Sequence, residues 1–322
     1  MSSHALSSFN PGFRQMFAPG KLTLGLLFPI EAYKTDVPTL ERQAERAAMA
    51  DSGGFAGLWC RDIPLRDPQF GDVGQILDPW VWMTFMLQHI KRASLATGSL
   101  IVPLRHPIHL AKAASSLDML SGGRMVLGLA SGDRASEFPA FAVDHEQRAE
   151  QYRQGFEFVG RLLSETSPNI DSPLGRMQFL DMLPHPQHGR IGLGSTGMAR
   201  QDGRWLVENS DFWLTHMRPL QQHEGVMLQL QGLVKQTLGE DAFKPIAQSM
   251  YLDLTDDPDS KPMPIYLGYR LGRNHLINLL EYLQELGVNH VAFVMKLSIR
   301  PVEDVLAELI EHVVPHFQAN AV

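Results

Sequence analysis

The run Gly192-Leu193-Gly194-Ser195-Thr196-Gly197, followed downstream by Asp211, has the spacing of a dinucleotide-binding turn. That turn requires its acid at the end of the second strand, within reach of a ribose hydroxyl. Here Asp211 precedes the apolar run 212–216, and the strand ahead of the glycines is short. The same residues also read as a Gly-Ser-Thr-Gly turn at the C-terminal end of a strand, leading into a helix. Backbone N–H groups from Gly194 to Gly197, with the Ser195 and Thr196 hydroxyls, then suit a phosphate. An ordinary loop with an N-capping hydroxyl uses the same residue types. Histidines three apart occur at His106/His109 and at His185/His188, but Pro107 and Pro186 lie inside the pairs, so neither follows a helix interior. No metal is expected. No Gly-x-Ser-x-Gly elbow follows a strand, which leaves a serine nucleophile without support.

Such groups need a frame, and the periodicity supplies one. Apolar runs at 22–28, 55–60, 94–102, 124–130, 191–194, 212–216, 247–254 and 288–295 alternate with segments of helical spacing at 39–50, 78–90, 107–120, 146–163, 198–209, 221–237, 274–286 and 302–317. Each strand is nearly continuous in apolar residues, as a parallel sheet covered on both faces requires. Eight alternations predict a (β/α)8 barrel, with a doubly wound sheet as the alternative. The stretch 167–190, rich in Pro, Gly and polar groups, reads as a structureless insertion between the fourth helix and the fifth strand. The expected organisation is an arm, 1–20, clamped by Phe9, Phe13 and Phe17, ahead of one barrel domain, 21–322. Ligand contacts belong at the C-terminal mouth. Gly128, on the fourth strand, leaves room for a planar ring, and Ser131 follows it. His216 ends the sixth strand with Arg218 behind it, placed for proton transfer or held as a buried, backbone-satisfied histidine.

The chain has 322 residues, a formal net charge of -7 and no long basic run, which gives no footprint for nucleic acid or an anionic membrane. Its single cysteine, Cys60, cannot form an internal disulfide and fits a reducing compartment, so a cytoplasmic location is expected. No segment reads as a secretory signal or a transmembrane span. The helix around 80–87 (WVWMTFML) is apolar nearly all round, which predicts a homodimer interface there.

One segment is more specific. Leu104-Arg105-His106-Pro107, Ala111-Lys112, Ser116-Leu117-Asp118-Met119-Leu120-Ser121, Gly123-Arg124 and Leu127-Gly128 are followed by Ser131-Gly132 and by Glu137-Phe138. With Thr97-Gly98-Ser99 and the Gly-Ser-Thr-Gly turn, this run resembles the bacterial luciferase-like family of flavin-dependent oxidoreductases over nearly the whole chain. The resemblance implies a (β/α)8 barrel, usually dimeric, that binds FMN or the deazaflavin F420 at its mouth. It implies a cofactor site at Gly98 and Ser99, with a non-proline cis peptide expected at Ser99-Leu100, and a reach of Tyr152 to the flavin phosphate. Luciferases carry an arginine in the place of Ser131, for which Arg134 or Arg148 would substitute. They also carry histidines after the second strand, where this chain reads Cys60-Arg61-Asp62. Asp62 then becomes the candidate acid or base, or a salt-bridge partner of Arg61, Arg66 or another loop arginine.

The resulting expectation is an FMN-dependent monooxygenase acting on a small organic substrate, with a separate flavin reductase as a further partner. F420-dependent hydride transfer, a flavin-binding barrel without turnover and a nicotinamide-binding protein are the alternatives. Information about the substrate is expected in the 167–190 insertion and in the N-terminal arm.

Overall fold

The computed structural model describes residues 6–318. Eight parallel strands form the wall of a closed barrel: β1 (Thr23–Leu27), β2 (Gly57–Cys60), β3 (Ser94–Thr97), β5 (Met125–Ala130), β8 (Leu193–Thr196), β9 (Phe212–His216), β10 (Ile246–Leu254) and β13 (His290–Val294). They are neighbours in that order, and β13 pairs with β1 to close the ring. The expected (β/α)8 barrel is therefore the fold. The helices that return the chain from the mouth are α2 (Gln43–Ser52), α3 (Pro79–Met86), α4 (Pro107–Ser121), α5 (Arg148–Ser164), α6 (Gly203–Asn209), α7 (Leu220–Leu238), α8 (Arg273–Glu285) and α9 (Val302–Glu308). A π-helical turn, Leu309–Val313, leads from α9 into α10 (Val314–Gln318).

Local chemistry sets the boundaries. Asp78 caps α3 by accepting from the Trp80 and Val81 N–H groups, and Pro79 opens the helix. Gly122, left-handed at φ 72°, ends α4. α6 begins at Gly203 rather than at 198: Asp202 takes the Trp205 N–H at 2.8 Å, while Ala199 and Arg200 adopt left-handed conformations that no helix admits. The third strand is not continuous either. After β3 the chain makes a cis peptide at Gly98-Ser99, one bond before the expected Ser99-Leu100, and resumes as β4 (Leu100–Ile101). Leu95 faces Met125 while Leu100 faces Leu129, so one extra residue is accommodated, as in a bulge.

The insertion contains a small hairpin, β6 (Ile170–Ser172) with β7 (Gly175–Met177), where no regular element was expected. It is seated on α4, whose Lys112 and Ser115 donate to the carbonyls of Leu183 and Pro184. A second hairpin, β11 (Met263–Ile265) with β12 (Gly268–Leu271), extends the β10 side of the mouth.

The arm plugs the opposite end of the barrel. Its short helix, α1 (Pro11–Met16), is capped by Asn10, whose amide donates to Asp118 and to the Met125 carbonyl, each at 2.7 Å. Phe9, Phe13 and Phe17 are buried, and Phe13 and Phe17 meet Phe212 inside the barrel. Burying each ring contributes roughly 1.5–3 kcal/mol. α3 is two-sided: Trp82, Met83 and Met86 are buried, with Trp82 edge-on to Phe28, while Val81 and Phe85 are exposed. Any partner on this face meets Val81 and Phe85, not Trp82. No described helix is long and apolar enough to cross a membrane.

Candidate active site

The C-terminal mouth holds a cleft of about 970 Å³. Its floor is Gly98 with the side chains of Trp59, Leu27 and Leu214; its walls come from the loops after β2, β5, β8, β10 and β13. Ser99 and Thr196 share a hydrogen bond between their hydroxyls across the mouth. Ser131 is buried against the same wall, and its hydroxyl has no hydrogen-bond partner among the described residues. Arg200, exposed at the rim, has no carboxylate partner among them.

Five of the expected contacts lie outside the cleft lining. Gly128 is not a gap for a ring: a Cβ there would stand 2.1 Å from the Thr97 carbonyl oxygen, so the missing side chain makes room for the neighbouring strand. The Thr97 hydroxyl spans the break by donating to the Gly128 carbonyl at 2.8 Å and accepting its N–H at 2.9 Å. At Gly194 the space is filled by the Phe212 ring, 2.2 Å from a Cβ position. Tyr152 is fully buried beside Phe156 and Trp205; its hydroxyl donates to Ser195 at 2.8 Å, so neither side chain reaches the cleft. The Gly197 N–H is taken by the Leu214 carbonyl at 2.8 Å and is not free to cradle an anion. Thr196 is the member of the turn that lines the cleft.

Asp62 lines the cleft with both carboxylate oxygens engaged. Arg105 grips it at 2.9 and 2.7 Å, and the Ile101 N–H reaches it at 3.2 Å. This ion pair fixes the chain just past Ser99, so the salt bridge of Asp62 with a loop arginine is the one made with Arg105. His216 stands at the rim. Desolvation by the wall and the charge of Arg218 push its pKa below the ordinary histidine value, so the neutral ring, able to accept a proton, prevails at pH 7. Arg148 turns away to the His145 carbonyl, whereas Arg134 lines the cleft. The metal-like pairs have structural uses: His106 caps α4, and His185 pairs with Asp181.

Sequence reasoning missed the most connected residue of the mouth. Asp72, on the 61–78 loop after β2, accepts from Arg61 at 2.9 and 3.2 Å, from the Tyr33 hydroxyl at 2.8 Å and from the Gly74 N–H at 3.1 Å, with the Tyr251 hydroxyl at 3.4 Å. Lys296 stands 3.8 Å away, and Arg134 donates to the Asp72 carbonyl at 2.6 Å. Burial pushes this carboxyl up, but Arg61 and the donated hydrogen bonds outweigh it and hold the pKa at about 2. The available signal was loop length: an 18-residue connection, 61–78, after a barrel strand sits where such barrels carry function. Neither the insertion nor the arm, where substrate information was expected, lines the cleft.

A parallel barrel with a polar cleft at the C-terminal ends of its strands defines a barrel enzyme scaffold. The sequence profile of the luciferase-like monooxygenases matches residues 22–249, and the chain belongs to that family. It is 28% identical over 202 residues to an uncharacterized protein of Mycobacterium tuberculosis, covering 58% of this chain and 71% of that one. Limonene 1,2-monooxygenase of Rhodococcus erythropolis is 27% identical over 125 residues, covering 39% of this chain and 31% of the relative. Among solved structures, an F420-dependent secondary alcohol dehydrogenase superposes with a TM-score of 0.74 at 15% identity, over 92% of this chain and 99% of that one. EDTA monooxygenase from Chelativorans sp. also gives 0.74, at 12% identity, over 94% and 95% of the two chains. These two superpositions establish the shared barrel.

Proposed function

We propose that the chain is an FMN-dependent oxidoreductase that uses reduced flavin to oxygenate a small organic substrate, with the flavin reduced by a separate protein. The observation that carries this reading is the polar arc at the mouth: the Ser99 and Thr196 hydroxyls, the unpartnered Ser131 hydroxyl and the unpaired Arg200 cation, set beside an apolar floor. A flavin needs both, an apolar face for its ring and donors with a positive charge for its phosphate. The cleft is also at the upper end of the roughly 300–1,000 Å³ range of ligand pockets, which leaves space for a second molecule. Bound reduced flavin would supply the electrons. Trp59 and Gly98 would support the ring, and the Asp62–Arg105 pair would hold the floor in place. His216, neutral at pH 7, would take up a proton at the open side. Family membership and relatives named as monooxygenases favour oxygenation over the other flavin reactions.

Titration of the purified protein with FMN and with F420, followed by absorbance, tests the cofactor. Saturable FMN binding, weakened in Arg200→Met and Thr196→Val, is expected. Binding of F420 alone would replace oxygenation by hydride transfer, and binding of neither would refute a flavin site.

A further inference from the structure

The strand order divides the mouth into two arcs. Strands β3, β5 and β8 are neighbours and end at the hydroxyl arc assigned above to a phosphate. On the far side β10, β13, β1 and β2 are neighbours. Their ends and loops bring Tyr251, Tyr266, Lys296, Arg61 and Phe70 to the same cleft.

The charges on this second arc do not balance. Arg61 and Lys296 share one ion-pair partner, Asp72; the Asp36 charge also acts on Lys296 but is itself paired with Arg66. The shorter bonds of Lys296 go to neutral carbonyls, Thr35 at 3.0 Å and Gly71 at 3.3 Å. Arg134, 8% exposed, adds a third cation whose bond to this loop is again a carbonyl. The Arg61 Nε and Arg134 Nη1 atoms are buried without a partner. Asp133 is exposed and forms no ion pair with them; the Glu137 carboxyl, pushed up by burial and held down by the Arg134 charge, faces Arg134 and leaves Arg61 and Lys296 with Asp72 alone as an ion-pair partner. Buried cations are ordinarily matched, as Asp62 and Arg105 match each other at the same mouth, because an uncompensated charge away from water is costly. The excess of positive charge is therefore available to an anion. Apolar and aromatic surface lies beside it: Tyr266, 67% exposed, meets Tyr251 edge-on at 5.2 Å, and Phe70, 46% exposed, lies under Arg134 at 4.9 Å.

We propose that the Arg61–Lys296 arc is the substrate subsite and that it selects an organic anion with a flat apolar body, an aryl carboxylate being the simplest example. The proposal rests on the reading that the opposite arc holds the cofactor phosphate. The anionic group would lie against the cations and the ring against Tyr251 and Tyr266, leaving the rest of the substrate toward the floor. The source of selectivity is the surplus charge, which attracts an anion and rejects its neutral isostere.

The test uses 2-naphthoate and its uncharged isostere 2-naphthamide, titrated calorimetrically into the whole protein with and without FMN. Naphthoate is expected to bind about tenfold tighter or more at low salt, since a charged hydrogen-bonding group is replaced by a neutral one. The preference should fall to about threefold or less in Lys296→Met, return in Lys296→Arg, and survive in Arg200→Met, which removes charge from the other arc. If Lys296→Met does not fold, the wild-type preference should still shrink as NaCl rises from about 20 mM to about 500 mM. Equal binding of the two probes, a preference lost in Arg200→Met instead, or a preference indifferent to both Lys296→Met and salt would overturn the proposal. Failure of FMN to bind would refute the flavin site while leaving the probe preference of the unloaded protein to stand or fall alone.

Discussion

Gly128→Ala adds one methyl group where the structure has no space for it. The new Cβ would stand 2.1 Å from the Thr97 carbonyl oxygen and 3.5 Å from Leu214 Cδ2. A backbone atom of an adjacent strand cannot step aside as a flexible side chain can. Forcing such an overlap costs about 1–3 kcal/mol. Moving Thr97 also disturbs the two hydrogen bonds its hydroxyl makes with the Gly128 backbone, each with a net contribution of about 1 kcal/mol. A loss near 3 kcal/mol follows, or about 4–5 °C in Tm, using about 2.1 cal/mol/K of unfolding entropy per residue over this chain. Because the next peptide is Gly98-Ser99 at the cleft floor, FMN affinity should fall with stability. Gly160→Ala is the control: it lies within α5, its nearest neighbour would be Leu193 Cδ1 at an ordinary 3.6 Å, and alanine in a helix should gain about 0.5–1 kcal/mol. Thermal unfolding followed by circular dichroism compares the two variants. A Gly128→Ala protein melting within a degree of wild type, or a Gly160→Ala protein falling as far, would refute the close-approach argument.

The remaining predictions concern charge and assembly. Asp72 has a depressed native pKa, so its contribution is fully present above the unfolded value of about 4 and is lost as pH falls toward 2; it amounts to about 2 kcal/mol from the size of the shift. Denaturant titrations of wild type and Asp72→Asn should therefore differ at pH 6 and converge near pH 2, and a difference that does not change with pH contradicts the ion-pair assignment. Trp82→Glu places a charge in the core against Phe28 and should unfold the protein, whereas Val81→Ser with Phe85→Ser should leave it folded. If α3 forms a homodimer interface, sedimentation should find that double variant monomeric and wild type dimeric; a monomeric wild type would dismiss the interface.

The barrel was legible because its signal is local. Each wall strand is a short apolar run, and the helices between them repeat at their own period. The break in the third strand was legible only through the resemblance, which put the cis peptide one bond too late: Thr97-Gly98-Ser99 interrupts the apolar run of SLATGSLIV, but an inserted residue leaves no mark on a pattern that does not alternate. The start of α6 was misplaced because Ser195 and Thr196 are as good N-capping types as Asp202, and only the left-handed Ala199 and Arg200 decide between them. Tyr152 was misassigned to the cofactor, although Phe156, Val159 and Leu163 share its inward helix face and already pointed to the core. Asp72 could not be found from local pattern at all. Its partners come from Tyr33, Arg61, Tyr251 and Lys296, brought together only when the ring closes.

Two of the barrel's polar networks, one at the rim and one beneath the cleft floor, divide by dielectric. At the wet rim the links are charged and centre on Asp72. Beneath the floor they are neutral: Trp59 Nε1 donates to His290 Nε2 at 2.9 Å, so the His290 proton sits on Nδ1 and faces Thr23 Oγ1 at 2.7 Å. Thr23 in turn donates to the Met16 carbonyl at 2.8 Å, at the end of α1. Burial holds the His290 pKa at about 3, so at neutral pH the ring is uncharged and the chain of donors keeps one direction. Trp59 is also the side chain beside Gly98, 3.2 Å from where a Cβ would be. The arm therefore supports the floor from below through Thr23, His290 and Trp59, without touching the cleft. A charged network could not do this in the barrel interior without a matching ion for every group, whereas a neutral relay needs only a donor for each acceptor. The floor can thus remain fixed while the rim, where charge is screened and loops meet, is the part free to differ with the substrate.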